Sequence, residues 1–182
     1  MIFHRTPVNG VWIVEPDRRA DARGWFARTF CAEAFGERGL ATDLVQCSTS
    51  FNARRGTLRG LHWQAPPCAE AKLIRCVRGR VFDVAVDLRP RSPSFGQWTA
   101  AELSVDDGRM IYIPEGCAHG FQTLEDASEL FYQISAPYRP ALSRGVRWDD
   151  PEIGIDWPIA DPILSDRDRA LPCLDNVGAL AC

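Results

Sequence analysis

Three basic side chains occur close together in a stretch that otherwise has the composition of a buried strand. Residues 56–64 read GTLRGLHWQ, so Arg59 and His62 stand three positions apart, and Lys72 follows ten positions after the histidine. A buried positive charge without a partner is unfavourable, and no run of acidic residues lies nearby. The stretch therefore predicts that an anionic ligand meets Arg59 and Lys72. The alternative is that His62 is a hydrogen-bonded core histidine and that Arg59 pairs with a distant carboxylate.

A second candidate group lies in a predicted turn near the N-terminus. Residues 21–26 read DARGWF and bring Arg23 together with Trp25 and Phe26. Such a trio either forms an ordinary packed corner or stacks on a planar base and holds a phosphate through cation–π and charge contacts. The residues alone do not choose between these two interpretations.

A third candidate group follows in the predicted strand 44–52. Gln46, Ser48 and Ser50 alternate along it and therefore share one face of the strand. That polar face lines a wet cavity, or it looks at solvent as one side of an antiparallel sheet often does.

Length and composition limit what the chain can bind. Its 182 residues carry a formal net charge of −3, which argues against nucleic acid as a partner, and they predict one domain over residues 1–182. The sequence has no stretch apolar enough for a signal peptide or a membrane helix, which predicts a cytoplasmic protein without a membrane partner. Seven scattered cysteines without a CxxC pair are predicted to be reduced and mostly structural.

Short β-rich runs separated by turn residues predict an all-β fold. The 13 prolines and 14 glycines are spread along the whole chain. Such a succession is typical of a sandwich or barrel, with a jelly roll as the natural candidate. A helix is predicted over 30–39 and a short one after Ser165, and the last ten residues are predicted to be loose. The predicted strands, besides 44–52 and the stretch around Arg59, are 9–15, 71–77, 80–88, 98–103, 110–113 and 130–134.

The strand 80–88 is predicted to have two unlike faces. Phe82 and Val84 belong to a face that is expected to be core, whereas Asp83 and Asp87 lie on the other. The second face is therefore expected to carry carboxylates.

Several blocks of the sequence resemble one known family. Pro114, Gly116 and His119 resemble the second motif of the cupin superfamily. The further blocks are RGxF at 23–26, LRGLH at 58–62, KL at 72–73, FDVAVDLR at 82–89, SPxFG at 92–96, IPEGxAHGF at 113–121, WxD at 148–150 and WP at 157–158. Together they resemble the dTDP-4-dehydrorhamnose 3,5-epimerase family, in that family's order, over a core at about residues 5–172.

The resemblance implies a cupin-type jelly roll with a few short helices, and an isomerase of rhamnose-type sugar-nucleotide biosynthesis. Its substrate would be a dTDP-linked 4-keto-6-deoxyhexose, whose hydrogens at C3 and C5 are acidified by the C4 ketone. Inversion needs a base, a proton donor on the opposite face of the ring, and positive charge at the enolate oxygen. By resemblance, His62 is the base, Asp168 orients it and Tyr132 is the donor. Lys72 and Arg59 would stabilise the enolate and the phosphate oxygens.

The resemblance also implies a nucleotide site and a partner subunit. Arg23, Phe26, Gln46 and Ser48 would hold the substrate, and His119 would lie beside the site. Arg23 and Phe26 would reach the site of the neighbouring subunit in a homodimer. The resemblance implies neither a cofactor nor a metal.

Four positions depart from the pattern of the family. Ser48 and Thr49 stand where asparagine and histidine are expected, Arg28 stands at a usually acidic position, and Pro137 replaces an aromatic residue. These departures leave open whether both carbons or C3 alone are inverted, and what the exact sugar nucleotide is.

Two other functions are compatible with the same fold. A metal-dependent cupin isomerase or oxygenase needs two closely spaced histidines and a carboxylate in its first motif and a third histidine in its second. The chain has only His4, His62 and His119, and Trp63-Gln64 follows His62. A non-catalytic sugar-nucleotide binding domain would have lost the base or the proton donor, whereas His62, Tyr132 and Asp168 are all present.

Overall fold

A computed structural model describes residues 1–177, and two antiparallel β-sheets account for most of its regular structure. In spatial order the six-stranded sheet consists of β1 (Ile2–Arg5), β2 (Trp12–Glu15), β10 (Met110–Ile113), β7 (Lys72–Arg78), β12 (Ser128–Ile134) and β5 (Gln46–Asn52). The five-stranded sheet consists of β13 (Ser143–Gly145), β6 (Leu58–Gln64), β11 (Cys117–Thr123), β8 (Arg80–Asp87) and β9 (Trp98–Ser104). The predicted all-β jelly roll of the cupin type is confirmed.

The remaining elements are short. A separate hairpin is formed by β3 (Arg19–Asp21) and β4 (Gly24–Phe26). The helices are α1 (Ala32–Gly36), a single 3₁₀ turn (Pro140–Leu142), α2 (Asp166–Arg169) and α3 (Leu174–Val177). The Oγ atom of Ser165 accepts a hydrogen bond from the backbone N–H of Asp168 at 3.1 Å, so the predicted N-cap of α2 is present.

The strand β8 has the two faces that alternation predicted, and the face with the carboxylates is buried as well. Its Asp83 and Asp87 side chains are fully buried, so the face that carries them is part of the interior and not a separate polar surface. Each carboxylate has partners that make burial possible: His119 for Asp83, and Arg89 with two serine hydroxyls for Asp87. Alternation correctly assigned the residues of β8 to its two faces. The hydrophobicity of the residues did not indicate that both faces are buried.

Three apolar clusters surround the sheets. The first fills the space between the sheets with side chains such as Ile74, Ile111 and Leu130. The second covers the outer side of the five-stranded sheet, where Leu61, Val84 and Ala118 meet the C-terminal segment. The third packs α1 against the outer side of the six-stranded sheet.

Local turns explain where the predicted boundaries were wrong. The predicted strand 9–15 begins only at Trp12 because the N–H of Val11 bonds to the carbonyl of Val8 at 3.1 Å and closes a turn. The predicted helix 30–39 is reduced to α1, since the N–H of Gly39 bonds back to Gly36, three residues earlier. The strands β1, β3, β4, β11 and β13 were not predicted, and the predicted turn at 21–26 is part of the β3–β4 hairpin.

One residue of the segment that was predicted to be loose is packed against the fold. Leu174 in α3 is only 9% exposed and packs in the second cluster, so the prediction is wrong at this residue. Residues 178–182 lie outside the described part of the chain, and the prediction of a single domain over 1–182 stays a prediction. In the described part, no helix is both long and apolar enough to cross a membrane. The six described cysteines are free, and Cys182 lies outside that part.

Candidate active site

A cavity of about 390 Å³ opens between the two sheets. Its lining draws on β5, β7 and β12 from one sheet, on β6 and β11 from the other, and on α2 at the rim. The lining residues are Ser48, Thr49, Ser50, Arg59, His62, Lys72, His119, Phe121, Tyr132, Ile134, Ser165, Arg167 and Asp168. All three predicted catalytic residues and four of the seven predicted substrate-binding residues are therefore brought together.

The pairing of β6 with β11 places the two histidines of the cavity side by side. His62 and His119 are direct partners in the ladder. The strands approach so closely that a Cβ atom at Gly60 would lie 2.6 Å from the Cα of Gly120. Glycine at position 60, where φ is +133°, is thus required by both the backbone conformation and the space.

His62 forms a tight pair with a carboxylate from α2. Its Nε2 lies 2.6 Å from Oδ1 of Asp168, which is 4% exposed, and the N–H of Gly60 donates to the other oxygen at 3.4 Å. Burial acts to raise the pKa of Asp168, but the hydrogen bond and the charge of His62 outweigh it, so the pKa of Asp168 is lowered. The carboxylate therefore remains charged and can orient the imidazole.

This lowered pKa predicts how stability depends on pH. A carboxylate with a depressed pKa in the folded state stabilises the fold above its unfolded pKa of about 4, and this contribution is lost as the pH falls through the folded pKa. Asp168→Asn should therefore reduce the free energy of unfolding more at pH 7 than at pH 3, as measured by urea denaturation. Asp166→Asn, which changes an exposed carboxylate of the same turn, is the matched control. An equal loss at both pH values would contradict the prediction.

A second histidine–carboxylate pair lies deeper in the cavity. Nε2 of His119 is 3.0 Å from each carboxylate oxygen of Asp83, and both side chains are buried. Burial raises the pKa of Asp83, while His119 and Lys72 oppose that rise. Sequence analysis placed Asp83 on the correct face of its strand but missed this partnership.

Tyr132 faces the histidines from the opposite sheet. Its ring meets the ring of His119 edge to face, with centroids 5.9 Å apart. Burial, and then the Asp83 carboxylate, raise the pKa of Tyr132 above its usual value of 10.0. The phenol therefore keeps its proton at neutral pH.

The two cations of the site differ from the sequence-based expectation. Lys72 is buried, but its Nζ lies 2.9 Å from Oε1 of Glu70 and 3.4 Å from the carbonyl of His62. Arg59 is exposed, and its Nε donates to Oδ1 of Asn52 at 2.8 Å. The expectation of two buried and unpartnered charges was therefore wrong, since Lys72 pairs with Glu70 and the Arg59 side chain is exposed to solvent.

The Lys72–Glu70 contact changes how the role of Lys72 is tested. Lys72→Met alone leaves the Glu70 carboxylate nearly buried without its cation, which should cost about 3 kcal/mol of stability. In Lys72→Met/Glu70→Gln the stranded charge is removed, so thermal stability should largely return. If Lys72 meets the substrate, turnover should stay roughly 10²-fold low in the double variant. Recovery of turnover together with stability would show that the lysine is structural.

Three predicted substrate-binding residues do not reach the cavity within this chain. The side-chain Oε1 of Gln46 accepts a hydrogen bond from the backbone N–H of Tyr138 at 3.0 Å. Arg23 pairs with Asp21 at 2.6 Å on the exposed β3–β4 hairpin. Phe26 is 74% exposed and lines a different cavity, beside α1. Their predicted contact with substrate would need a rearrangement or a second subunit.

Several residues of the site were not predicted from the sequence. Thr49, Ser165 and Arg167 line the cavity, and Glu70 and Asn52 hold its cations. Asn52 left a usable signal, because it continues the alternation of Gln46, Ser48 and Ser50 in the predicted strand 44–52. Glu70 left a weaker one, since it precedes Lys72 by two positions but lies before the start of β7. Within residues 1–177, no three His, Cys, Asp or Glu side chains form a group that could hold a metal ion.

Comparison with known proteins identifies the family. The model of the dTDP-4-dehydrorhamnose 3,5-epimerase family matches residues 5–176. The chain belongs to this family. A dTDP-4-dehydrorhamnose 3,5-epimerase from Sinorhizobium fredii is 42% identical over 175 residues, covering 96% of this chain and 90% of the relative.

Two further relatives of the epimerase family bear on specificity and ligand. A dTDP-4-dehydrorhamnose 3-epimerase from Streptomyces niveus is 42% identical over 163 residues, covering 89% of this chain and 78% of the relative. The crystal structure of a dTDP-6-deoxy-D-glucose-3,5-epimerase from Legionella pneumophila, in complex with dTDP-4-keto-L-rhamnose, superposes with a TM-score of 0.92 at 36% identity. That comparison covers 99% of this chain and 96% of the Legionella chain. The family thus contains enzymes named for one carbon and for two.

Proposed function

We propose that the protein epimerises a dTDP-4-keto-6-deoxyhexose by removing and returning a proton beside the C4 ketone. The observation that carries this proposal is the pairing of His62 with Asp168 in a cavity that Tyr132 enters from the opposite sheet. A sugar ring between the two sheets would present one face to each side chain. Membership of the epimerase family supplies the reaction class.

Each side chain has a defined task in this mechanism. His62 takes the proton from the acidified carbon, and the Asp168 carboxylate stabilises the imidazolium that forms. Lys72, positioned by Glu70, supplies positive charge near the developing enolate oxygen. Tyr132, whose raised pKa keeps it protonated, donates to the opposite face of the ring. The carbon is thereby inverted without any change in oxidation state.

A product assay tests this proposal. The purified protein is incubated with dTDP-4-keto-6-deoxyglucose, and NMR coupling constants report the configuration at C3 and C5. We expect inversion at C3. The configuration at C5 then shows whether the protein acts as a 3-epimerase or as a 3,5-epimerase, since the family contains enzymes with both names. A non-catalytic sugar-nucleotide binding domain would bind the compound and return it unchanged. Such a result would reject the enzymatic proposal.

We further propose that the nucleotide is held in part by a second subunit. Arg23 and Phe26 project on an exposed hairpin away from their own cavity, which is the placement expected of residues that serve a neighbour. In a homodimer they would join Gln46 and Ser48 around the nucleotide. Sedimentation analysis should give a dimer, and Phe26→Ala should weaken dTDP binding. We retain the cytoplasmic location as a prediction from the sequence.

We expect activity to survive exhaustive treatment with EDTA. The reason is the sequence pattern: His62 is followed by Trp63 and Gln64, without the second histidine that metal-dependent cupins use in this motif. The initial rate of epimerisation is measured before and after chelation, with Mn²⁺, Fe²⁺ or Zn²⁺ added back separately. Loss of activity that one of these metals restores would favour the metal-dependent alternative.

A further inference from the structure

One buried amide side chain lies between the cavity and the edge of the sheet. Asn52 ends β5 and is 2% exposed. Its Nδ2 donates to the backbone carbonyls of Ser50 and Ser128 at 3.2 and 3.3 Å, and lies 3.4 Å from the Ser50 hydroxyl. These contacts fix the amide on the backbone, so its remaining oxygen points in one direction. That oxygen accepts the hydrogen bond from Nε of Arg59 at 2.8 Å.

Arg59 lies where two cavities meet. It lines the cavity that contains His62 and also an adjoining groove of about 380 Å³. Within residues 1–177, no protein acceptor lies within hydrogen-bonding distance of its two terminal nitrogens, and no carboxylate pairs with it. The guanidinium is thus anchored through Nε alone. Its terminal N–H groups remain available for an anion that enters from the cavity.

The chemistry of the anchor matters as much as its position. A carboxylate in place of the Asn52 amide would also hold the guanidinium, but it would neutralise much of its charge. A neutral amide fixes the position of the guanidinium and leaves its full positive charge available to attract the ligand. A fixed guanidinium with free terminal nitrogens matches the oxygens of a diphosphate, which accept two parallel hydrogen bonds.

We infer that Asn52 is the positioning residue for Arg59 and directs its guanidinium to the diphosphate of the sugar nucleotide. This inference rests on the proposed function, because it takes the diphosphate as the anion. It predicts that Asn52 affects binding of the nucleotide much more than the chemical step. A side chain that only stabilised β5 would instead reduce the amount of folded protein, which lowers the apparent kcat and the binding stoichiometry but leaves the Kd and KM unchanged.

The test is a double-mutant cycle with dTDP as the probe. Asn52→Ser retains a hydroxyl that can bond to the backbone but is too short to reach Arg59. It should raise the Kd for dTDP about tenfold in isothermal titration calorimetry. In turnover, KM should rise by a similar factor, with kcat changed less than twofold. In the Arg59→Ala background, Asn52→Ser should have no further effect on the Kd, because the residue through which it acts is gone.

Two more variants keep the test decisive. Asn52→Asp retains an acceptor for Arg59 but adds a negative charge, which neutralises part of the guanidinium charge and should also weaken dTDP binding. This variant serves as the test if Asn52→Ser does not fold. Gln122→Met removes another fully buried amide, which bonds to the backbone of Ile159 through both its nitrogen and its oxygen, and should lower stability without changing the Kd. If both Asn52 variants bind dTDP with the wild-type Kd, the inference is wrong and the proposed function stands. The same holds if Asn52→Ser raises the Kd by the same factor in the wild-type and Arg59→Ala backgrounds. A wild-type protein that does not bind dTDP would overturn the proposed function as well.

Discussion

His62→Ala is expected to abolish both epimerisation and the exchange of substrate hydrogen with solvent. No enolate forms without a base, and a positioned general base contributes roughly 10²- to 10⁴-fold to such a reaction. His62 is the candidate because it lies in the cavity, 2.6 Å from a carboxylate that can stabilise its protonated form. The experiment follows deuterium entry into dTDP-4-keto-6-deoxyglucose by mass spectrometry and inversion by NMR. Both rates should fall together.

The control for this variant is a histidine outside the cavity. His4 lies on β1, half exposed, and pairs with Glu15 at 3.1 Å. His4→Ala should keep the wild-type rates of exchange and inversion. If His62→Ala still exchanges hydrogen at the wild-type rate, His62 is not the base. His119, with its own carboxylate partner, would then be the next candidate.

Tyr132→Phe is expected to separate exchange from inversion. The substitution retains the ring and its edge-to-face contact with His119 but removes the phenolic proton. His62 still removes the proton, so the enolate of the substrate still forms. It is then reprotonated from the same face of the sugar ring, the face that His62 contacts. Deuterium entry should therefore persist, while inversion falls by roughly 10²-fold or more. A purely structural role of the two residues does not predict this separation.

Tyr112→Phe is the matched control for the tyrosine. Tyr112 is also buried, but its hydroxyl accepts a hydrogen bond from the N–H of Ala41, outside the cavity. Removing that hydroxyl should lower stability slightly and leave both exchange and inversion intact. Normal inversion in Tyr132→Phe would mean that another group returns the proton, and the assignment of roles to the two sheets would be wrong.

The sequence predicted the fold and the centre of the site because both leave local patterns. Alternation and turn residues indicated the strands, and the LRGLH and AHGF blocks indicated the two histidines. The role of Asp168 as the partner of His62 was predicted from the resemblance alone. It lies 106 positions from His62, and no local pattern links two residues so far apart.

Burial and pairing were harder to predict, since they depend on what covers each strand. Asp83 is on the face that alternation predicted, yet that face is interior because a second sheet packs on it. Arg59 was expected to be buried because of its apolar neighbours, but it lies where the cavity opens and is exposed. Lys72 has a partner although no run of acidic residues lies near it, because the single carboxylate of Glu70 is sufficient.

The positions of Arg23, Phe26 and Gln46 show a different limit. Their proposed roles came from the resemblance, and within one chain none of the three reaches the cavity. A site completed by a neighbouring subunit cannot be assembled from the contacts of a single chain. Their roles therefore stay predictions that the dimer and the Phe26→Ala variant test.

The most direct test of the central claim is incubation of the wild-type protein with dTDP-4-keto-6-deoxyglucose in D₂O. Proton removal beside the ketone predicts that the inverted product carries solvent deuterium at every carbon that has been inverted. A gain of one mass unit would indicate C3 alone, and a gain of two would indicate both C3 and C5. An inverted product without deuterium, or a substrate that neither inverts nor exchanges, would contradict the account.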